Sequence, residues 1–318
     1  MNRRLFGLLF IAVLLLAGCE RGKESGADDR STVRVAVSLF PYYDLARRVG
    51  GDAVEVHLLL PWGASPHGYE PTPRDIQVVQ SAQYVIYTSD ELEPWMGRLT
   101  RGLPDEVKVL TLEDVAGRGL HPHEEEHAGE DDHEASEGNH HAPHLWLDPL
   151  TLAALARAYA EELVQAVPDR EEEIRSRLSA YLEGLEVLDR RMEELVDAAP
   201  RRTVVFAGHR MLDAWAARYG VQVIYPFESA SPSAEVLPRQ VREVLGHVLE
   251  EEDAPGVLYE AVSEVRLGGF LEAEGIAVYP FYGLHTLPKE MADEGYGYVE
   301  VWEMNLASLR KVLYGATD

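Results

Sequence analysis

The sequence predicts an α/β fold of two lobes, each with a parallel-type sheet flanked by helices, joined by one long α-helix. Three observations carry that expectation. Short valine-rich apolar runs alternate with helical patterns near the start of the chain, and the same alternation returns toward its end. Between them lies a stretch of unbroken helical periodicity bracketed by Pro168 and Pro200. At 318 residues and 46% hydrophobic content, the chain can form two ordinary domains and fill their cores.

Taken in order, residues 1–18 read as a secretory signal peptide: Arg3 and Arg4 precede an apolar run over residues 5–17, then small residues. That run is shorter than the roughly 20 residues a spanning helix needs. Leu16-Ala17-Gly18-Cys19 resembles the bacterial lipobox, in which cleavage precedes a cysteine that becomes lipid-modified, so a lipid anchor on Cys19 is expected. Cys19 is the only cysteine, which rules out an intramolecular disulfide and a cysteine-built metal or redox site. Residues 19–31 are polar and Gly/Ser/charge-rich, as in a flexible tether.

An N-terminal lobe is expected over 32–167, with strands at 33–39, 54–60 and 84–88 and helices at 42–50 and 74–82. A linking helix is expected over 168–200. Ile174, Leu178, Tyr181, Leu182, Leu185, Leu188, Met192, Leu195 and Val196 recur there at helical spacing, and some 30 residues make a rod of roughly 45 Å. A C-terminal lobe is expected over 201–318, with strands at 203–207, 221–225, 256–259 and 276–279. Its helices are placed at 211–219, 239–251 and 265–274.

The balance of 29 basic against 55 acidic residues, a formal net charge of -26, argues against nucleic acid, which needs a clustered positive surface. A cationic ligand suits that field better.

His123, Glu124 and His127 spell H-E-x-x-H, a zinc-hydrolase signature whose mechanism requires both histidines on one face of a packed helix. From His121 to His144 there are seven of the chain's twelve histidines and eight acidic residues, with no aliphatic residue larger than alanine between Pro122 and Pro143. Such a segment has no face to pack, so 121–143 reads as a solvated His/acid-rich loop. His121, His123, His127, His133, His140 and His141 are expected to hold metal only weakly, because a mobile loop loses chain entropy in enclosing each ion. A spacer without a metal role is the alternative.

His67, His144, His209 and His285 lie outside that tract, and three of them follow predicted strands. In open α/β sheets ligands bind beyond the carboxyl ends of strands, which puts these residues on the two walls of an interlobe cleft. His57 falls inside a strand and His247 inside a helix, and both read as partly exposed histidines.

The stretches PWGASPHGYEPTPRD from Pro61, PHLWLDP from Pro143, FAGHRMLDAWAARYG from Phe206 and GYVEVWEMNL from Gly297 carry a family resemblance. With the linking helix and the His-rich insertion, the chain resembles the zinc- and manganese-binding solute receptors of ABC transporters, the ZnuA/TroA-like cluster A-I family. The resemblance implies a metal site formed by His67, His144 and His209, with a fourth ligand shortly before the last helix. The family commonly supplies a carboxylate there, whereas this chain has His285. The alternatives for that position are Asp293, Glu260 or a water.

A nitrogen-rich set favours Zn²⁺ over Mn²⁺, which prefers oxygen ligands. The resemblance thus implies an extracytoplasmic, membrane-anchored, monomeric zinc receptor. It would deliver its ion to an ABC permease and perform no chemical step. The alternatives are the same fold specific for Mn²⁺ or Fe²⁺, or a zinc hydrolase working through the HEEEH stretch.

Overall fold

Two short glycine- and proline-punctuated βαβ successions set the architecture. Described are residues 32–120, 144–226, 238–262 and 267–315, in a computed structural model. The expected signal peptide, the tether with Cys19 and the His-rich loop 121–143 lie outside the described residues.

In the N-terminal half, β1 (Val33–Val37), β2 (Val54–Leu58), β3 (Tyr84–Tyr87) and β4 (Lys108–Thr111) form a parallel sheet in the order β2-β1-β3-β4. Its helices are α1 (Phe40–Gly50), α2 (Pro73–Ser81), α3 (Pro94–Thr100) and α4 (Leu112–Leu120). Helix α5 (Pro149–Ala166) leads through a 3-10 turn at Pro168–Arg170 into the long α6 (Glu171–Asp197).

The C-terminal half repeats the plan. There β5 (Thr203–Ala207), α7 (Asp213–Tyr219), β6 (Gln222–Ile224), α8 (Pro238–Glu251), β7 (Val257–Glu260), α9 (Leu267–Ala273) and β8 (Val278–Phe281) give a parallel sheet ordered β6-β5-β7-β8. Two further helices, α10 (Lys289–Glu294) and α11 (Tyr298–Tyr314), close the fold.

Local chemistry explains where helices begin. Thr72 and Asp75 form a reciprocal capping box ahead of α2, with Thr72 N–H donating to Asp75 Oδ2 at 2.7 Å and Pro73 in the first helical position. The LDP of the HLWLDP stretch has the same logic. Asp148 caps α5 by accepting from Leu150 N at 2.9 Å, and Pro149 follows it. Three glutamates, Glu171 to Glu173, occupy the first turn of α6, where the helix dipole favours negative charge.

Both faces of each sheet are covered, as parallel sheets require. Val35, Val37 and Ile86 face one way, while Ala36, Val85 and Tyr87 pack on the other side with Trp95 and Met96 of α3. In the second sheet Val204 and Phe206 oppose Val205 and Ala207. A single apolar cluster runs from the inner face of the first sheet through α1, α5, α6 and α11 to the inner face of the second.

Helix α6 is therefore not a bare rod. It buries Ile174, Leu178, Leu185, Leu188 and Met192, packing on α1 and α5 at one side and on α11 at the other. At 27 residues it is about 40 Å long.

Several expectations shift by a few residues. The strand expected over 33–39 ends at Val37, because Ser38 and Leu39 already turn into α1. The helix expected from 211 starts at Asp213, so His209 lies in the preceding bend and does not open the helix. Helices α3, α4, α5 and α10 and strand β4 are not among the predicted elements. In α5 the period is present in the sequence: Leu152, Leu155, Ala156, Tyr159, Ala160 and Leu163 are buried at helical spacing opposite the exposed Arg157, Glu161 and Gln165, so its omission has no physical reason.

Candidate metal centre

Four segments bring imidazoles to the seam between the sheets. His67 is on the exposed loop between β2 and α2, and three bonds pin that loop. Trp95 Nε1 donates to Pro66 O at 3.1 Å, Tyr69 Oη donates to Asp75 Oδ2 at 2.8 Å, and Gly63 N donates to Thr286 Oγ1 at 2.8 Å. His144 precedes the turn Leu145–Leu147, whose Trp146 donates from Nε1 to Gly283 O at 2.8 Å and accepts at its carbonyl from Tyr298 Oη at 2.7 Å. His209 follows β5.

His285 belongs to the C-terminal half in sequence, but its backbone is docked on the N-terminal half. Its carbonyl accepts from Phe40 N at 3.1 Å, while its neighbours Gly283 and Thr286 bond Trp146 and Gly63. The turn is tight: the buried Leu284 has φ 58, a left-handed conformation that costs a β-carbon-bearing residue roughly 1–2 kcal/mol. A Cβ on Gly283 would lie 2.9 Å from His285 Nδ1 and 3.0 Å from Met211 Sδ, so only glycine allows the ring this approach.

Ligand nitrogens of His67, His144 and His209 lie within 4.8 Å of one another, and His144 Nε2 is 3.1 Å from His209 Nε2. Two nitrogens on one tetrahedral zinc at ~2.0–2.1 Å are about 3.3 Å apart, and their ring centroids roughly 5 Å apart. The three centroid separations are 5.0, 5.2 and 5.8 Å. The three rings thus already have nearly the spacing of a shared ion. His285 is farther, 6.4 Å from His209 between centroids, and would have to approach by about 1 Å.

The environment favours the neutral form of His144, His285 and His67. His144 is held well below the ordinary imidazole value, first by burial and then by His209, His67 and His285 around it. Burial likewise brings His285 down to about 4 despite the opposing pull of Glu260. His67 is lowered for the same leading reason. Neutral imidazole is the form that ligates a metal.

The other acids weighed for the fourth position separate cleanly. Asp293 is exposed on α10 and engaged by Lys289 Nζ at 2.7 Å, away from the cluster. Glu260, 6% exposed at the end of β7, accepts from His209 Nδ1 at 2.9 Å and stands behind that ring. His57 pairs with Glu55 on β2, and His247 with Glu251 on α8; neither approaches the cluster. The six loop histidines and Glu124 lie outside the described residues. Sequence reasoning missed Trp146 and Thr286, which tie the ligand segments together across the seam. Their role depends on contacts between residues 137 and 223 positions apart, which no local pattern reveals.

Comparison with known proteins adds to this geometry. The sequence model of the family described as zinc-uptake complex component A, periplasmic (ZnuA), matches residues 35–312. Among curated proteins the chain is similar to the zinc-binding lipoprotein AdcA of Streptococcus pneumoniae, with 28% identity over 306 residues. That match covers 96% of this chain but 60% of AdcA, so the chain spans well under the full length of that relative. It is also similar to the high-affinity zinc uptake system protein ZnuA of Bacillus subtilis, 26% identical over 318 residues, covering 98% of this chain and 99% of that protein.

Among solved structures, the Zn(II)-bound ZnuA-like domain of S. pneumoniae AdcA superposes with a TM-score of 0.72 at 25% identity, covering 89% of this chain and 99% of that one. The metal-dependent lipoprotein YcdH of B. subtilis gives 0.69 at 22% identity over 88% and 99% of the two chains, a likeness that bears on the fold alone.

Proposed function

Because the chain belongs to the zinc-uptake complex component A family, we propose that it is an extracytoplasmic receptor that binds Zn²⁺ at the seam and hands it to an ABC importer. The observation that carries this reading is the convergence of His67 and His144 with His209, three imidazoles from the two halves, at the spacing of one tetrahedral ion. His285 is the proposed fourth ligand, reaching the ion by a shift of its turn. The nitrogen donor set favours zinc over manganese or iron, which take more oxygen.

Four protein ligands leave no open position for an activated water, so the receptor needs no chemical step. The relatives named as zinc-binding lipoproteins support a lipid anchor at Cys19 and a location outside the cytoplasm. Among the described residues no helix is long and apolar enough to cross a membrane. We further take the receptor to be a monomer whose His-rich loop binds additional zinc weakly.

Calorimetric zinc titration of two variants tests the assignment. Deleting residues 121–141 is expected to keep one tight site and lose only weak ones. Replacing His67, His144 and His209 together by alanine is expected to remove the tight site. Tight binding that survives the triple substitution sinks the reading, as does its loss on deleting the loop alone.

A further inference from the structure

We propose that Glu260 is a positioning residue, not a ligand: it holds His209 in the tautomer that presents Nε2 to the metal and supplies negative charge behind the site. The inference rests on the receptor reading above and deepens it.

Glu260 closes β7 beside β5, from which His209 follows, and both side chains are buried, at 6% and 7% exposure. His209 Nδ1 lies 2.9 Å from Glu260 Oε2. A carboxylate only accepts, so the ring must place its proton at Nδ1. A neutral imidazole has one N–H, and spending it there leaves the lone pair on Nε2. That atom faces His144 Nε2 at 3.1 Å.

The backbone is arranged for this contact. A Cβ at Gly208 would lie 2.5 Å from the Phe206 ring and 3.1 Å from Glu260 Cβ, so glycine leaves Phe206 and Glu260 the room they occupy beside the His209 segment. There is also a need for the charge. Imidazoles bring none to a dication, and a carboxylate one bond removed from a ligand raises that ligand's basicity.

The test uses the mature chain with Glu260→Ala and Glu260→Gln, read by zinc affinity against a competing chelator, by ¹⁵N imidazole spectra of the metal-free protein, and by Co²⁺ absorption. Losing such a partner typically lowers metal affinity about 10–100-fold, which is the expectation for Glu260→Ala. His209 should change from a single Nδ1–H tautomer to a mixture, a signature that a merely structural role would leave unmoved. Glu260→Gln keeps an acceptor but no charge and should fall between. The Co²⁺ spectrum should show the same coordination in all three proteins.

Wild-type affinity in either folded variant overturns the proposal. A change of coordination number on losing Glu260 also overturns it, by making the residue a ligand. If Glu260→Ala does not fold, the isosteric Glu260→Gln decides by the same affinity criterion. His209→Ala separates the two levels: tight binding retained in that variant refutes the receptor site itself, whatever Glu260 does.

Discussion

The two sheets have the same strand order, and each buries a glutamate where that order reverses, yet only one of these crevices opens on the metal centre. In the C-terminal half the reversal falls between β5 and β7, and Glu260 there meets a ring N–H of His209. In the N-terminal half it falls between β1 and β3, and the crevice is filled by Glu93, which is fully buried. Glu93 Oε2 accepts from Thr88 N at 2.6 Å, while Oε1 is buried without a hydrogen-bond partner.

Burial without a cationic or ring N–H partner raises the Glu93 carboxyl to about 7. One backbone plan thus yields a ligand site or a plug, according to what the carboxylate faces. On the plugged side Trp95, two residues after Glu93, holds the His67 loop through Pro66, so that crevice serves the site indirectly.

The largest effect that sharpens this comparison is expected from Glu93→Gln. A folded-state value of about 7 against an ordinary 4.5 means the stability contributed by the neutral form is complete below pH 4.5 and is lost as pH rises through 7. The amide cannot ionise, so the variant should gain up to about 3 kcal/mol at pH 8 and nothing at pH 4, by denaturant unfolding of the metal-free protein. Its zinc affinity should stay within about twofold of wild type, in contrast with substitutions at Glu260. Equal stability at both pH values, or a large affinity loss, breaks the contrast.

A smaller effect is expected at Thr286, whose hydroxyl accepts from Gly63 N across the seam. Thr286→Val leaves that N–H without its acceptor and should cost about 1–2 kcal/mol of stability. The loss should be accompanied by faster hydrogen exchange at Gly63. Unchanged exchange there means the His67 loop is held without Thr286, by the Trp95 and Tyr69 bonds.

The smallest expected change concerns shape. Because one apolar cluster spans both halves through α6 and α11, zinc binding should move loops and not lobes. Apo and zinc-bound scattering should differ by less than about 1 Å in radius of gyration, given the close packing of such a core. A change of several Å contradicts it.

Legibility followed the range of the forces. Strands β1, β3 and β5 and helix α6 were readable because apolar period and proline punctuation act within a few residues. Strand β4 was not, since its four residues, KVLT, are too short a run to show a period. His67, His209 and His285 stood out by type and by position after strands, and His144 by the family resemblance of the PHLWLDP stretch.

The sequence by itself determined the two βαβ runs, the long helix, the exclusion of an intramolecular disulfide and the supply of imidazoles near strand ends. Only the tertiary structure decided that three rings share one point, that Glu260 stands behind His209, and that the His285 turn is held by the opposite half. Those outcomes depend on pairings between residues 51 to 245 positions apart. Side-chain period and turn chemistry carry no record of such distances, because they are set by how the two sheets pack around a common core.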